Sequence, residues 1–438
     1  MRKFALLVLV MAMVAVTVLN VNAQDDPYAG VELDGTTIVW WHQYNGGAQL
    51  ETMDALIAEF NETNEYGITV EGLNQGGYGE IREAMNAAII AGETPNLVSG
   101  FQNDAASYFI DDAALDLNPL IASEWGYSED ELAGKNQAIL NANVFPQYDG
   151  ARLAWPNQVS ANVLSVNISM LAELGYEELP SSPEAFVEVA CAAAAADDIN
   201  GYPIKPDASN FESFLAGFGG TIFDAEEGRY NFTSEAAIAT LQLYADLYNN
   251  DCAYVPDSRF GNTDDFAIGL NPMALGSSAG IPFILGGMAD AGYETEWTVT
   301  TTPYTEGNQT IQVFVPSVIV VPATPAEEVA SWLFIKYLSE TEQQIRWTEA
   351  TSYFPIDLDA AASLTDFEAE NPFFAAANAL VSSPDVNVYT SPPLLSYGAL
   401  RGVIGEAVAD VTTNGLPVED VAAELEEAAN ELYDDLEG

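Results

Sequence analysis

Between Thr36 and Ser99 the chain alternates strand and helix patterns without a break, and this alternation narrows the fold more than any other feature. Thr36 to Trp41 is β-branched and aromatic, as strands are. Leu50 to Asn61 follows, with Met53, Leu56, Ile57 and Phe60 on one helical face. Ile68 to Leu73 is the next strand. Tyr78 to Ala91 is helical, with Ile81, Met85, Ala88 and Ile89 inward, and Asn96 to Ser99 is a third strand. A β-α-β-α-β order predicts a parallel sheet with helices on both faces.

The chain is too long for one such unit. Its first residues read as an export signal: Arg2-Lys3, the apolar stretch Phe4 to Leu19, and a small-x-small cleavage site at Val21-Asn22-Ala23. An uncleaved anchor is the alternative. No Cys lies near the site, so no lipid attachment is expected there. Residues 1–23 are therefore assigned to the signal. The remainder suits two lobes rather than one core. The composition, 49% hydrophobic, supports full-sized cores.

The second lobe opens at Leu153 to Asn167. An apolar run, Leu153-Ala-Trp155, passes Pro156 and becomes a strand through Val163 and Val166. A short helix then runs to the Gly175 stop. Ser182 and Pro183 begin a second helix as N-cap and first helical residue. That helix continues around Ala185 to Ala196, and further helices are expected around Phe211 to Phe218 and Ser234 to Tyr248. Strands are expected at Met273 to Gly276, Trp297 to Pro303 and Val313 to Val321. Ala326 to Ser339 and the acidic tail Val418 to Leu436 read as helices.

These stretches carry a resemblance. Asn162-Val-Leu-Ser-Val-Asn167, with Leu171, Leu174-Gly175, Pro180 and Pro183-Glu184-Ala-Phe186, resembles a segment of the extracellular solute-binding proteins of ABC importers. The branch is the one that binds carbohydrates and glycerol-3-phosphate, of the maltose-binding type. Three other stretches match in the same order: Thr37 to Tyr44; Tyr78 through Ala91-Gly92-Glu-Thr-Pro95-Asn96; and Trp347 with Thr351-Ser-Tyr-Phe-Pro355-Ile356. The resemblance implies an α/β, two-lobed periplasmic-binding-protein fold with interleaved lobes and a hinge-bounded cleft. Residues 36–152 and 281–318 would form lobe I, and 156–275 and 325–438 lobe II. Hinge crossings would fall near 153–156, 276–280 and 319–324.

Charge restricts the partners. Sixty-six acidic residues face 11 basic ones. Loss of Arg2 and Lys3 with the signal takes the formal charge from −55 to −57. Such a field repels nucleic acid and anionic membranes, so neither is an expected partner. Cys191 and Cys252 fall in the same expected lobe. Two free thiols or a disulfide both fit, and an oxidising compartment favours the bond.

The search for catalytic machinery returns little. His42 is the only histidine, and no Gly-x-Ser-x-Gly or Gly-Lys-Ser/Thr phosphate loop occurs. Carboxylate pairs are too numerous to single one out for glycoside chemistry. No cofactor and no metal site is expected, since two Cys and a distant His make no ligand set.

Sugar recognition needs aromatic faces for the C–H surface and amide, carboxylate or guanidinium groups for the hydroxyl rim. Such residues follow the expected strands, where open α/β sheets bind ligands. Trp41 comes from the first strand, Gln75 and Tyr78 follow the second, Gln102 and Asn103 the third, and Trp155 and Asn157 sit at the crossing. By resemblance, Gln43 and Tyr44 belong to a ligand-touching loop, and Ser277 and Ser278 end a returning strand that supplies a contact. Tyr353 lies in the Ser-Tyr-Phe-Pro turn. Tyr397 and Arg401 follow Pro392-Pro-Leu-Leu, which resembles a phosphate-engaging segment of glycerol-3-phosphate-binding relatives. His42 is read as structural.

The resemblance implies an exported, monomeric protein that captures a sugar by hinge closure and delivers it to ABC permease subunits. Glycerol-3-phosphate or a glycerophosphodiester is the alternative ligand, and a secreted polysaccharide-acting enzyme the alternative class. The acidity fits either a saline setting or a lineage with acidic exported proteins. Self-repulsion of this size is relieved by screening, so the thermal midpoint is expected to rise across a sodium chloride series. A midpoint indifferent to salt would refute the saline reading.

Overall fold

The structure is a computed structural model that describes residues 26–258 and 260–437; the expected export signal lies outside them. Two five-stranded sheets organise it. The first runs in the order Thr69–Asn74, Thr37–His42, Leu97–Gly100, Ser317–Val320, Trp155–Pro156. Its first three strands are parallel, as the alternating pattern predicts. The helices Gly47–Thr63 and Tyr78–Ala91 form the crossovers. Trp40 stands in register with Gly72. A Cβ at residue 72 would meet Ile57 at 2.8 Å and the His42 ring at 3.0 Å, so glycine is what lets both side chains pack there.

The second sheet is built on Ser160–Asn167. Met273–Ser277 pairs along one edge, and Trp297–Thr300 and Thr310–Phe314 share the other, all antiparallel. Asn387–Tyr389 extends the sheet in parallel beyond Thr310–Phe314. The hub strand is buried throughout its length. Ala161 and Val163 join one core with Trp297 and Val313. Leu164 and Val166 join another, with Phe186, Phe211 and Leu241 from the covering helices. This is the two-residue alternation of a strand covered on both faces. Cys191 and Cys252 are bonded in this second lobe, with Cα atoms 4.2 Å apart. The tail helix Val418–Glu437 closes it with Val418, Val421, Ala422, Leu425 and Ala429 inward.

The lobes interleave, but the chain changes lobe at different places from those expected. Just after the expected crossing near 153–156, three residues separate Trp155–Pro156 in one sheet from Ser160–Asn167 in the other. No crossing occurs at 276–280. There Met273–Ser277 stays in the second sheet and leads into the helix Ile281–Ala291, and Trp297–Thr300 and Thr310–Phe314 pair with the hub strand. Residues 281–314 therefore belong to the second lobe. The chain returns at Val315-Pro316, and the expected single strand Val313 to Val321 is divided there because Pro316 has no N–H to give a ladder. The helix Pro325–Leu338 packs on the first sheet, not the second, with the Phe334 ring 5.7 Å from Trp40 and 5.2 Å from Phe60. The last crossing lies between the helices Thr341–Thr351 and Pro372–Ser382, the latter stacking Phe373 on Trp297 at 3.8 Å. A strand apolar on both faces fits either sheet equally, so its own pattern cannot tell which partner it takes.

One buried ion pair ties the first lobe together. Lys135 Nζ donates to Asp357 Oδ2 at 2.8 Å and to the Ser339 carbonyl at 2.5 Å. Burial raises the Asp357 carboxyl, but Lys135 and the Ala360 N–H outweigh it and hold it below the usual range. Removing the lysine leaves a buried carboxylate without its counter-charge. Lys135→Met is expected to lower unfolding free energy by about 3–5 kcal/mol in urea titrations.

Candidate functional site

A cleft of about 790 Å³ opens between the two sheets. Its first-lobe wall is the C-terminal end of the parallel strands, where Tyr78, Gln102 and Asn103 open the following helices, Phe101 is an N-cap and Arg82 lies one turn in. The second-lobe wall begins on the hub strand. Ser160 and Asn162 lie on the same face as Leu164 and Val166, so one side of one strand is polar at the cleft end and apolar in the core. Ser209 and Asn210 add the start of the helix Ala208–Gly217, whose N-cap Asp207 accepts from the Asn210 N–H at 2.8 Å. Ser277 comes from the hub's neighbour, and Val315 and Pro316 form the crossing at the back. Ser391, Tyr397 and Arg401 close the far end.

Seven of the residues singled out from the sequence line this cleft: Tyr78, Gln102, Asn103, Ser277, Tyr353, Tyr397 and Arg401. Tyr353 is braced by Trp347, stacked nearly parallel at 5.8 Å. Three others form a hydrogen-bonded layer behind the wall. Gln43 Nε2 donates to Gln158 Oε1 at 2.8 Å, which also accepts from the Tyr78 hydroxyl at 3.3 Å. Asn157 Nδ2 donates to the buried Tyr44 hydroxyl at 3.4 Å. Tyr44 itself is locked between the rings of Trp40, His42 and Trp347.

Four residues sit away from the lining. Trp155 is fully buried, stacks on Tyr127, meets Trp332 edge-on and donates to Ser339 Oγ at 2.9 Å, so it is core of the first lobe. Trp41 packs against the small core around Ile81, Met85 and Val98. Trp40 is fully buried and Trp41 partly so, and neither lines the cleft. Ser278 is spent on the scaffold, its Oγ accepting from the Ala161 N–H at 3.1 Å. Gln75 is half-buried, and its N–H donates to the His42 carbonyl at 3.0 Å. His42 is structural: burial pushes it down to about 4, so it is neutral at ordinary pH.

Sequence reasoning missed Arg82, Lys205, Asn162 and Asn210 as lining residues. The signal for Asn162 was present, since Ser160 and Asn162 are polar at alternate positions of an otherwise apolar strand. Nothing local marked Arg82 or Lys205.

The cleft's charges are compensated. Arg82 Nε lies 2.6 Å from the buried Asp104 carboxylate, and Lys205 Nζ 3.0 Å from Asp207. Arg401 donates to the Tyr397 hydroxyl at 2.8 Å and to Ser209 Oγ at 3.0 Å. The same Tyr397 hydroxyl donates to the buried Glu212 carboxylate. Burial holds the Tyr397 phenol far above its ordinary range, so it stays a neutral donor. The lobes touch across one rim, where Arg82 Nη1 donates to the Gly398 carbonyl at 3.3 Å. A Cβ at residue 398 would come within 3.0 Å of Asn103, so a residue without a side chain permits this approach. Among the described residues no cluster of His, Cys, Asp or Glu is arranged to hold a metal ion, and no helix is long and apolar enough to cross a membrane.

Two sheets with interleaved chain crossings and a polar, aromatic cleft between them define a two-lobed solute-binding protein. The chain belongs to the bacterial extracellular solute-binding proteins, whose family model matches residues 55–376. Solved structures agree on the fold. The GacH receptor of Streptomyces glaucescens, determined unliganded and with acarbose, superposes with a TM-score of 0.78 at 19% identity, covering 92% of this chain and 99% of that one. UgpB of Mycobacterium tuberculosis, bound to glycerophosphocholine, gives 0.78 at 16% identity over 91% and 98%. Maltose-bound MalE3 of T. maritima gives 0.75 at 19% identity over 91% and 100%. Comparison with curated proteins gave no significant match. Membership of an extracellular family makes this an exported protein.

Proposed function

We propose that the cleft captures a neutral, hydroxyl-rich solute, a carbohydrate or polyol, and that the protein delivers it to the membrane subunits of an ABC importer. The observation that carries this reading is charge compensation. Among the described residues, each cation lining the cleft has a carboxylate beside it or linked to it through one phenol. A dianionic phosphate entering a protein of formal charge −55 needs uncompensated positive charge. A sugar needs none. Tyr78, Phe101, Phe314 and Tyr353 offer ring faces, and Gln102, Asn103, Asn162 and Asn210 offer amides for a hydroxyl rim. Several proteins of this fold are solved with sugars or a polyol bound, tagatose and ribitol among them.

Capture works by closure. A ligand that contacts both walls only when they approach shifts the population toward the closed form, by as much as its differential affinity for the two forms. The protein acts as a monomer, its signal cleaved near Ala23, and it does no chemistry on its ligand.

A second reading keeps glycerol-3-phosphate or a glycerophosphodiester. It is favoured by the Arg401 guanidinium in the cleft wall and by the glycerophosphocholine bound to UgpB. Calorimetric titration of the mature protein, in high salt, against neutral mono- and oligosaccharides, polyols and glycerol phosphates separates the two. Saturable binding of a neutral compound, with the phosphates silent, is the expected result. Binding of phosphates alone would overturn it. Release of a product from any glycoside would replace the binding role with an enzymatic one.

A further inference from the structure

Glu212 lies on the helix Ala208–Gly217, one layer beneath the cleft wall, and does not itself reach the cleft. Its side chain is buried at 4% exposure. One carboxylate oxygen accepts from the Tyr397 hydroxyl, and the other accepts from Ser391 Oγ at 3.0 Å. Gln312 Nε2 donates to that same Ser391 oxygen at 3.0 Å. Tyr397, in turn, accepts from Arg401 Nη1. A buried carboxylate is thus linked to a cleft guanidinium through one phenol, and the Arg401 charge bears on it.

We propose that Glu212 sets the charge selectivity of the cleft: its carboxylate, acting through Tyr397, cancels Arg401 and keeps anionic solutes out. This deepens the neutral-solute reading and rests on it. Two features of the geometry support the assignment. The ionised carboxylate draws the Tyr397 proton inward, so the phenol turns a lone pair toward Arg401 and occupies one of its donors. The other hydrogen-bond partner of Arg401 is the neutral Ser209 hydroxyl; of the two carboxylates that bear on it, Asp207 is already paired with Lys205, and Glu212 is the one joined to it through a shared phenol. In water such a pair is weak, but in a wall this dry the field is screened little.

The surroundings make the compensation depend on pH. Facing Glu212 are Tyr397 and Arg401 from the helix Tyr397–Val411, Ser391 and Tyr389 from the segment before it, Asp207 from the start of its own helix, and Tyr230 from a short hairpin strand. Burial raises the Glu212 carboxyl to about 7. Tyr397, Arg401 and Ser391 pull it back, and Asp207 pushes it up. Above that pH the carboxylate is ionised and the corner is neutral. Below it the carboxyl is protonated and donates one hydrogen bond where it had accepted two, leaving Arg401 with Asp207, shared with Lys205, as its remaining counter-charge. Affinity for an anion therefore rises as pH falls through about 7. The same shift has a stability sign. The folded state holds the proton more tightly than the unfolded chain, so this group's contribution is present at low pH and is lost as pH rises from 4.5 to about 7.

The test uses inorganic sulfate, whose charge is constant over the range, in equilibrium dialysis of the mature protein at fixed sodium chloride. Wild type is expected to bind sulfate on the order of tenfold more tightly at about pH 5.5 than at about pH 8.5. Glu212→Gln, which keeps the shape, is expected to bind it tightly at both values with a nearly flat profile. Adding Arg401→Gln to Glu212→Gln is expected to abolish the gain. An unchanged pH profile in Glu212→Gln, or a gain that survives loss of Arg401, would overturn the proposal. If Glu212→Gln fails to fold by near-ultraviolet circular dichroism, the wild-type profile decides alone, and a flat one refutes it. Failure of the neutral-solute reading is seen separately: the sugars and polyols stay silent while the sulfate profile is as expected.

Discussion

Backbone pairing along Ser160–Asn167 is the constraint on which the rest of the molecule depends. This strand takes partners on both edges and buries both faces, so every N–H and C=O it carries must be matched within the protein. Three residues separate its first residue from the first sheet, and two separate its neighbour Thr310–Phe314 from the same sheet. Links this short hold the two lobes at a fixed edge and leave the opposite side free to open. The cleft lies where these crossings meet the ends of the strands, so its position follows from the topology before any side chain is considered.

The same strand carries the change from scaffold to site. Ser160 and Asn162 are polar, Leu164 and Val166 apolar, and all four share a face. Burial of polar groups there is tolerable because they are bonded onward. Asn162 reaches Ser213 at 2.9 Å, Ser213 reaches Gln312 at 3.2 Å, and Gln312 reaches Ser391 at 3.0 Å, on the way to Glu212. A network with each member satisfied fixes the orientation of the groups it presents to a ligand. In a chain with six acids for every base, the notable economy is that the few cations drawn into the cleft arrive already neutralised. That leaves recognition to hydrogen bonds and ring faces, which suits a sugar.

Much of the first lobe was legible in the sequence because its pattern is local. Met53, Leu56, Ile57 and Phe60 announce one helix face, and the strands on either side are β-branched. Ser182 and Pro183 likewise fix the start of a helix that the structure begins at Pro183. The lobe boundaries were not legible. Met273–Ser277 and Trp297–Thr300 are strands wherever they lie, and only pairing across more than a hundred residues assigns them to the second sheet. The same limit governed the site. Tyr78, Gln102 and Asn103 follow strands and fall at the cleft. Trp41 and Trp155 have the right chemistry, but each is claimed by a core that the sequence does not locate. Glu212 is one acid among many by eye, and its importance comes from Tyr397 and Ser391, which lie far from it in the chain.

The central claim is that a neutral solute draws the lobes together over this cleft. Small-angle X-ray scattering of the mature protein, alone and saturated with a neutral sugar or polyol that it binds, tests it most directly. The account predicts a smaller radius of gyration in the saturated protein. An unchanged radius at saturation, or contraction only with a phosphate compound, would contradict it.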